Sequence, residues 1–428
     1  MKHQRLLTTA LAATSFLASG CANFRRLADD LDFLDRTYTA AALVGNVRDH
    51  GDVMGFVMEW DGKKVTSGDY EILPSHGVFG FFVEHPENQY MMAYADRNHN
   101  RRYDPSEPAW IHSDDKGRPV PLHFDADSRR TRVTGNLSSS TILPPELVAA
   151  AREFVAGRSP DDVATGWSIP VDLGTVADLD DPRFSSERGA RGYWEPASYP
   201  METGMGIYFL EPYDPQRIPV LFVYGAAGSP QDWRTIFSKL DRKKYQAWFV
   251  HYPTGRSLAQ LGSGLNDAVE LLRTFYGFPE IHVVAHSMGG LVSRDFILKN
   301  LDDGHRYIGR YVTISTPWGG QEFAASGVKR APSVIPSWRD LVPGSDFQDE
   351  VFRHKLRGRV DHLLLYGHHS KRSMTLPKEN DGTVSVKSET DPRAVKDAVE
   401  VVGFDEDHVS ILSNDEVIAR TFRHLDGN

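Results

Sequence analysis

The chain contains two different hydrophobic patterns, one after the other. In residues 36–142, short segments alternate apolar and polar side chains, which is typical of half-buried β-strands, and clusters of Asp, Gly, Asn and Pro separate them. No convincing long helix lies among these segments, so the pattern predicts a small all-β, sandwich-like domain over 36–142. The strands predicted in this domain lie near 39–48 and at 52–60, 77–84 and 89–95.

A helix and an irregular segment are predicted next, over 143–214. The sequence P-P-E-L-V-A-A-A-R-E-F-V, within 143–160, has helical spacing and a proline just inside its start, where the missing N–H would have no partner anyway. From 167 to 215 the chain is rich in Pro, Gly and Asp, which predicts only short extended pieces leading into a second domain.

From Ile218 onward, continuous apolar runs alternate with segments of helical periodicity. The run Ile218–Gly225 is apolar almost throughout, as is typical of a strand buried on both faces of a parallel sheet. The alternation predicts a doubly wound, mostly parallel α/β sheet over 215–428. Further strands are predicted at 246–253, 281–285, 311–315, 362–366 and 399–403, and helices at 233–240, 257–276, 290–299 and 414–425.

Composition supports two folded domains and argues against nucleic acid as a partner. With 428 residues the chain is too long for one ordinary domain, and 40% hydrophobic residues are enough for a sizeable core. The formal net charge of -10 provides no basic field to neutralise phosphates, which argues against nucleic acid as a partner. The oligomeric state stays open.

The first 20 residues have the pattern of a secretory signal peptide. Lys2 and Arg5 precede the apolar run Leu6–Ala18, which is too short to cross a bilayer comfortably. The run leads into L-A-S-G-C at Leu17–Cys21, and Cys21 is the only cysteine in the chain, which excludes an intramolecular disulfide. Taken alone, these residues also fit an ordinary signal peptide followed by an incidental or buried cysteine.

This ending resembles the lipobox of bacterial lipoproteins. The resemblance implies that the signal peptide 1–20 is removed, that Cys21 becomes the lipid-modified first residue, and that 21–35 form a tether. Residues 22 and 23 are Ala and Asn rather than Asp, which in that family implies sorting to the outer membrane. A lipid-anchored protein of the bacterial cell envelope is therefore expected.

The strongest candidate for chemistry is Ser287, in the sequence A-H-S-M-G-G at Ala285–Gly290, between a predicted buried strand and a predicted helix. A sharp strand-to-helix turn needs small residues two before and two after the serine, and Ala285 and Gly289 meet that need. Such a turn exposes the serine hydroxyl. It also places the N–H of Met288 at the helix start, where it can stabilise an oxyanion.

With this motif, residues 215–428 resemble the α/β-hydrolase superfamily, in its serine esterase and lipase branch. Y-G-A-A-G-S-P-Q-D-W at Tyr224–Trp233 is similar to the family's H-G-x-x-G-S loop. This similarity implies that Ala226 is the second oxyanion donor. Tyr224 replaces the family's more usual histidine, which leaves the backbone role of the loop intact.

The order of the catalytic triad in this family, which is serine, acid and then histidine, implies the other two residues. E-N-D-G-T-V-S-V at Glu379–Val386 resembles the family's D-G-x-V loop and implies Asp381 as the acid, unless Asp-Gly marks only a turn. Asp361 is the chief rival, but it precedes its predicted strand instead of following it. His408, between the last predicted strand and the last predicted helix, is the implied base.

The resemblance implies an ester hydrolase that works through an acyl-enzyme and needs no cofactor. Its substrate would be an ester or a lipid, and its lipid anchor would hold it at a membrane. Two alternatives share these residues. An acyltransferase would pass the acyl group to an alcohol instead of water, and an inert envelope scaffold would use the fold only for binding. Amide cleavage is compatible with the fold, but nothing in the sequence favours it.

An acidic loop in the first domain is a candidate calcium site. D-R-N-H-N-R-R-Y-D-P-S-E at Asp96–Glu107 places oxygen ligands at positions 1, 3, 5, 9 and 12, as in a calcium loop. Arg101 stands where such a loop has glycine, and its charge and that of Arg102 oppose a cation. A polar hairpin held by Asx turns explains the same residues, so both interpretations stay open.

Two features near the predicted site have both an acyl-pocket and a packing interpretation. I-S-T-P-W-G-G at Ile314–Gly320 resembles the S-T-P-H-x-G segment of many lipases, and Trp318 in it either lines an acyl pocket or is a core aromatic. The insert 321–359 is longer than most connections in this architecture. It forms either a lid over the nucleophile or a packed helical excursion.

Overall fold

The computed structural model describes residues 22–48, 50–74, 76–156, 167–369 and 376–427, so the predicted signal peptide and Cys21 lie outside the described residues. The chain divides into two compact units. The β unit consists of Leu31–Asp172 and Ala197–Met205, and the α/β unit consists of Leu173–Pro196, Gly206–Asn428 and the described part of Met1–Asp30. No helix in the described ranges is long and apolar enough to cross a membrane.

The β unit contains two packed sheets, as the apolar alternation predicts. Its strands are β1 (Tyr38–Gly45), β2 (Asp52–Trp60), β3 (Val65–Ile72), β4 (Val78–Val83), β5 (Gln89–Asp96), β6 (Ala109–Ile111) and β7 (Arg130–Asn136). One sheet has the order β4-β1-β7 and the other the order β3-β2-β5-β6. Among the described strands of this unit, only β1 and β7 pair in parallel, and Ala42 on β1 lies opposite Phe79 on β4 and Val133 on β7.

Both faces of the four-stranded sheet are buried. Val53 and Val57 on β2 pack into the core shared with the other sheet, whereas Phe56 faces the opposite side, where α2 (Pro145–Ala156) contributes Leu147. Successive side chains of a strand point to opposite faces, so one strand supplies both cores. The apolar pattern does not predict β3, β6 or β7, because these segments are short or mostly polar.

Residues 22–36 form a helix, α1, where the sequence predicts a tether. The ring of Phe24 packs edge-on against Trp194 in the same unit, with ring centroids 5.2 Å apart, and Leu27 is fully buried. The segment that follows Cys21 is therefore helical and packed. Phe24, Leu27, Leu31 and Leu34 have the spacing of an amphipathic helix, a signal that the tether prediction overlooked among the charged residues.

The acidic loop Asp96–Glu107 is held by its own backbone. The carboxyl side chains of Asp96 and Glu107 are almost completely buried, and each of their oxygens accepts a backbone N–H. These contacts correspond to the hairpin interpretation of the loop. Calcium binding stays a prediction. The donors, at 2.8–3.0 Å, are Asn100 and Arg101 for Asp96, and Arg97 and Asp104 for Glu107.

The α/β unit is built on an eight-stranded sheet. Its strands are β8 (Val171–Val176), β9 (Met205–Phe209), β10 (Ile218–Val223), β11 (Tyr245–His251), β12 (Ile281–His286), β13 (Ile308–Ile314), β14 (Asp361–Gly367) and β15 (Glu400–Phe404). The strand order is β15-β14-β13-β12-β10-β11-β9-β8. Strands β10 to β15 are parallel to one another, and β9 is antiparallel to β11. The predicted doubly wound, mostly parallel sheet is confirmed.

Most helices of the sheet region lie where the periodicity predicts them: α5 (Arg234–Lys239), α6 (Leu258–Tyr276), α7 (Met288–Asp302) and α13 (Asp415–Leu425). The Pro- and Gly-rich stretch before β10 contains two helices that are not predicted, α3 (Ser186–Trp194) and α4 (Ser198–Thr203). Local capping explains α3, because the hydroxyl of Ser185 accepts the N–H of Arg188.

The insert 321–359 is a packed helical segment. It contains α8 (Glu322–Arg330), α9 (Pro336–Leu341) and α10 (Asp346–Glu350), and two further short helices, α11 (Val386–Glu389) and α12 (Pro392–Asp397), follow β14. The end of the insert is fixed by the buried guanidinium of Arg294 on α7. This group donates to the carbonyl of Val351 and to the carboxylate of Asp397, each at 2.5 Å. A buried, paired cation is costly to expose, which favours a packed excursion over a mobile lid.

We expect Asp96→Ala to lower the melting temperature, because hydrogen bonds to a charged acceptor contribute about 1.5–3 kcal/mol each and two are lost. The measurement is thermal unfolding of wild type and variant, in calcium and in EDTA. A hairpin held by hydrogen bonds alone gives the same loss in both solutions. A calcium-dependent rise in the wild-type melting temperature that the variant lacks would instead assign a cation to the loop.

Candidate active site

A strained strand-to-helix turn carries Ser287. β12 ends at His286 and α7 begins at Met288, and between them Ser287 has φ 53° and ψ -133°, which is rare for a residue with a side chain. Gly289 permits the turn, because a Cβ there would lie 2.4 Å from the carbonyl oxygen of Val223 on β10. The first turn of α7 therefore lies directly against the backbone at the end of the neighbouring strand.

Ser287, His408 and Asp381 form a continuous hydrogen-bonded chain. Nε2 of His408 lies 2.9 Å from Oγ of Ser287, and Nδ1 of His408 lies 2.5 Å from Oδ2 of Asp381. Ser287 follows β12, Asp381 follows β14 and His408 follows β15, so the carboxyl ends of parallel strands bring them to one edge of the sheet. Their exposed fractions are 7%, 0% and 8% for Ser287, Asp381 and His408, which strengthens these hydrogen bonds by excluding water.

The carboxylate of Asp381 is held in a charged, oriented state. Its Oδ1 accepts the N–H groups of Thr383 at 2.9 Å and Val384 at 2.7 Å, and its backbone carbonyl accepts the N–H of His408 at 2.9 Å. Burial alone would raise the pKa of Asp381, but the hydrogen bond with His408 and those from Val384 and Thr383 outweigh burial and lower the pKa below its ordinary value. The imidazole therefore faces a fixed anion at Nδ1.

His286, which the sequence analysis did not assign a role, supports His408. Its Nε2 lies 2.8 Å from the backbone carbonyl oxygen of His408, and the two rings are 4.9 Å apart between centroids. Burial, and then the nearby His408, lowers the pKa of His286 to about 3, so its ring is neutral. A neutral ring that donates from Nε2 ties the loop after β15 to the end of β12. The one sequence feature that points to a role for His286 is its position directly before Ser287.

The loop after β10 passes directly beside the serine. A Cβ on Gly225 would lie 2.5 Å from the Cβ of Ser287, so only glycine fits there. Ala227 has φ 55° and donates its N–H to Oγ1 of Thr254 at 3.1 Å. Ala226 lies between these two fixed residues. Met288 is the first residue of α7, so its N–H has no acceptor within the helix.

Two buried tyrosines hold the start of this loop. The hydroxyl of Tyr224 donates to the carbonyl of Tyr252 at 3.0 Å and accepts the N–H of Tyr252 at 2.9 Å. The hydroxyl of Tyr252 donates to the carbonyl of Tyr224 at 2.5 Å. Tyr224 therefore contributes its side chain to the loop in addition to its backbone.

Two other residues considered from the sequence are not part of this hydrogen-bonded chain. Asp361, the rival acid, is at the start of β14, and its Oδ2 lies 2.8 Å from the guanidinium of Arg310. Trp318 is fully buried, and its ring contacts Phe352 and His362 with centroids 6.0 and 5.6 Å away. Trp318 is therefore a core aromatic and not an exposed pocket wall.

A second carboxyl group, Glu389 at the end of α11, lies beside the triad and was not expected from the sequence. Asp381, Glu389 and His408 bring one donor atom each to within 4.8 Å of the others. Nδ1 of His408 and Oδ2 of Asp381 are only 2.5 Å apart. Two ligands bound to one zinc ion at about 2.0–2.2 Å each stand farther from one another, so this contact fits a shared proton better than a metal ion.

Residues 214–413 match the family described as the PGAP1-like alpha/beta domain. Similar solved structures include a mature lipase of Bacillus licheniformis, BlEst2, at 19% identity, covering 51% of this chain and 97% of the lipase with a TM-score of 0.41. Lipase B of Aspergillus fumigatus is 14% identical over 52% of this chain and 56% of its own, also with a TM-score of 0.41. No curated protein sequence matches the chain. The strand order and the family match together identify an α/β-hydrolase fold.

We expect Gly225→Ala to abolish most activity on an aryl ester, because the added methyl displaces the loop from Ser287. A loss of at least about 10²-fold in kcat would equal the removal of one oxyanion donor. The matched control is Gly264→Ala on the exposed side of α6, where a Cβ meets nothing within 4 Å. Equal activity of the two folded variants would show that the loop does not need its contact with Ser287.

Proposed function

We propose that the α/β unit is a serine hydrolase that cleaves carboxylic esters. The observation that carries this proposal is the buried hydrogen-bonded chain from Ser287 through His408 to Asp381. The same order of serine, acid and histidine on the same kind of sheet is typical of esterases and lipases. Ser287 has a positive φ and stands at the start of α7, where backbone N–H groups can stabilise the oxyanion that such chemistry forms.

The proposed reaction has two steps. Oγ of Ser287 attacks the ester carbonyl while Nε2 of His408 takes the hydroxyl proton, and the resulting oxyanion is stabilised by the N–H groups of Ala226 and Met288. The carbon–oxygen bond of the ester breaks, and His408 returns the proton to the leaving alcohol. Water then attacks the acyl-enzyme with His408 as the base, which releases the acid and restores Ser287.

Each surrounding group has one task in this scheme. Asp381 fixes the Nδ1–H tautomer of His408 and balances the imidazolium charge that forms in each step. His286, being neutral, orients the loop that carries His408 without opposing that charge. The residues themselves supply a nucleophile, a base and an anion site, so no step in this scheme requires a metal ion or an organic cofactor.

We also propose that a lipid on Cys21 anchors the protein in the bacterial envelope, at the outer membrane. The support is the lipobox-like sequence before Cys21. Phe24 contacts Trp194 and Trp338 with ring centroids 5.2 and 6.4 Å away, so the chain is fixed three residues after the anchor point. Three residues span at most about 11 Å, so a lipid on Cys21 would hold the α/β unit close to the membrane and favour lipid esters as substrates.

We expect Ser287→Ala to lower the turnover of an aryl ester by roughly 10⁶ and to abolish labelling by a fluorophosphonate probe. His408→Ala should cost nearly as much and Asp381→Ala somewhat less. The matched controls, Ser238→Ala and His369→Ala, remove exposed residues of the same types and should leave the rate unchanged. A tenth of the wild-type rate in the Ser287 variant would refute the assignment.

The same assay separates hydrolysis from acyl transfer. An added alcohol that increases acyl-donor consumption and appears as a new ester would assign an acyltransferase. A wild-type protein that neither turns over any ester of a chain-length series nor reacts with the probe would leave the inert scaffold.

We expect Cys21→Ser to move the protein from the membrane fraction to a soluble or unprocessed form. Each buried acyl methylene contributes about 0.8 kcal/mol to membrane attachment, so several chains hold a protein firmly and none cannot. The measurement is fractionation of the expressing bacterium, followed by mass spectrometry of the N-terminal peptide. Wild-type protein that is wholly soluble would contradict the lipoprotein assignment.

A further inference from the structure

Glu389 is a buried carboxyl group for which the proposed mechanism has no use. It is the last residue of α11, and its side chain is completely inaccessible to solvent. Its Oε1 accepts the N–H of Gly367 at 3.4 Å, and its Oε2 has no hydrogen-bond partner among the described residues. An ionised carboxylate in such a place would be very costly, because water is excluded and one oxygen is unsatisfied.

The neighbours of Glu389 decide which carboxyl group of the pocket carries the charge. A carboxyl oxygen of Glu389 lies within 4.8 Å of donor atoms of Asp381 and His408. Asp381 has His408 and two backbone N–H groups to stabilise a negative charge, whereas Glu389 has only a long contact with the N–H of Gly367 and the hydroxyl of Ser315. Two buried carboxyl groups this close do not both ionise, so the proton stays on Glu389. Burial, followed by the charge of Asp381, raises the pKa of Glu389 to about 10.

We propose that Glu389 is a positioning residue, a neutral carboxylic acid that donates a hydrogen bond to Asp381 and so holds the carboxylate that orients His408. The proposal rests on the triad assigned under Proposed function. With Glu389 neutral, the pocket holds one negative charge, which balances the single positive charge that forms on His408 during the reaction. A second negative charge would favour imidazolium in the resting enzyme and leave less free base at neutral pH.

The kinetic test compares Glu389→Gln with Glu389→Leu. The amide keeps a neutral hydrogen-bond donor of the same shape and should rescue kcat to within about threefold, whereas the apolar side chain should lower kcat at least about tenfold with KM within twofold, as expected when a transition-state interaction is lost. The acid limb of the kcat/KM profile should stay in place for Glu389→Gln. The matched control is Glu379→Leu, which removes an exposed glutamate two residues before Asp381.

Two kinetic results would overturn the proposal. If Glu389→Gln is as impaired as Glu389→Leu and its acid limb moves to lower pH, the negative charge of an ionised Glu389 is what the site needs. If a folded Glu389→Leu is as active as wild type, Glu389 does not position Asp381. Loss of activity in EDTA that a divalent ion restores, in wild type and in Asp96→Ala alike, would assign the three side chains to a metal instead.

A spectroscopic test does not depend on turnover or on the folding of Glu389→Leu. Infrared difference spectra of wild type and Glu389→Gln at pH 7 should contain the carbonyl band of a protonated carboxylic acid in wild type only. A carboxylate band in its place would overturn the proposal. Because Ser287→Ala lacks activity but retains this pocket, the same band in that variant distinguishes a failure of the proposed hydrolase activity from a failure of the Glu389 assignment.

Discussion

The close contact between the first turn of α7 and the end of β10 is the constraint on which the rest of the site depends. Gly289 has no side chain, so the helix can start against the carbonyl of Val223, and that start forces Ser287 into its strained conformation. Gly225 also lacks a side chain, which lets the loop after β10 contact Ser287. Two glycines therefore bring together a hydroxyl and the backbone N–H groups around it, and the tyrosine pair keeps the loop from moving away.

Burial limits the number of charges that the pocket at this edge of the sheet can hold. His286 is neutral, and the anionic form is concentrated on Asp381, which alone has enough hydrogen-bond donors. Glu389 adds a carboxyl group without adding a charge in the proposed arrangement. The low dielectric of the buried site screens an unpaired charge poorly. The pKa values of these groups therefore differ more than they would in water.

Packing around the sheet region restricts what can move near the site. The buried Arg294 ties the end of the insert to α7 and α12, and Trp318 is part of the core beneath it. The helix after Cys21 is packed through Phe24, although its sequence suggests only a charged tether. The β unit, in contrast, buries both faces of its four-stranded sheet and holds its acidic loop with backbone hydrogen bonds.

The sequence by itself determined the fold class and brought Ser287, Asp381 and His408 forward as one group. Periodicity reports burial, and the order of motifs along the chain follows the order of strands, so both can be read without coordinates. Periodicity did not reveal the polar strands or the short helix α3, which is stabilised by a single cap, and the packing of α1 depends on the distant Trp194. Nor could it find Glu389, because no spacing relates that residue to Asp381. Only the tertiary structure places the two carboxyl groups in one dry pocket, where burial and their proximity disfavour ionisation of both.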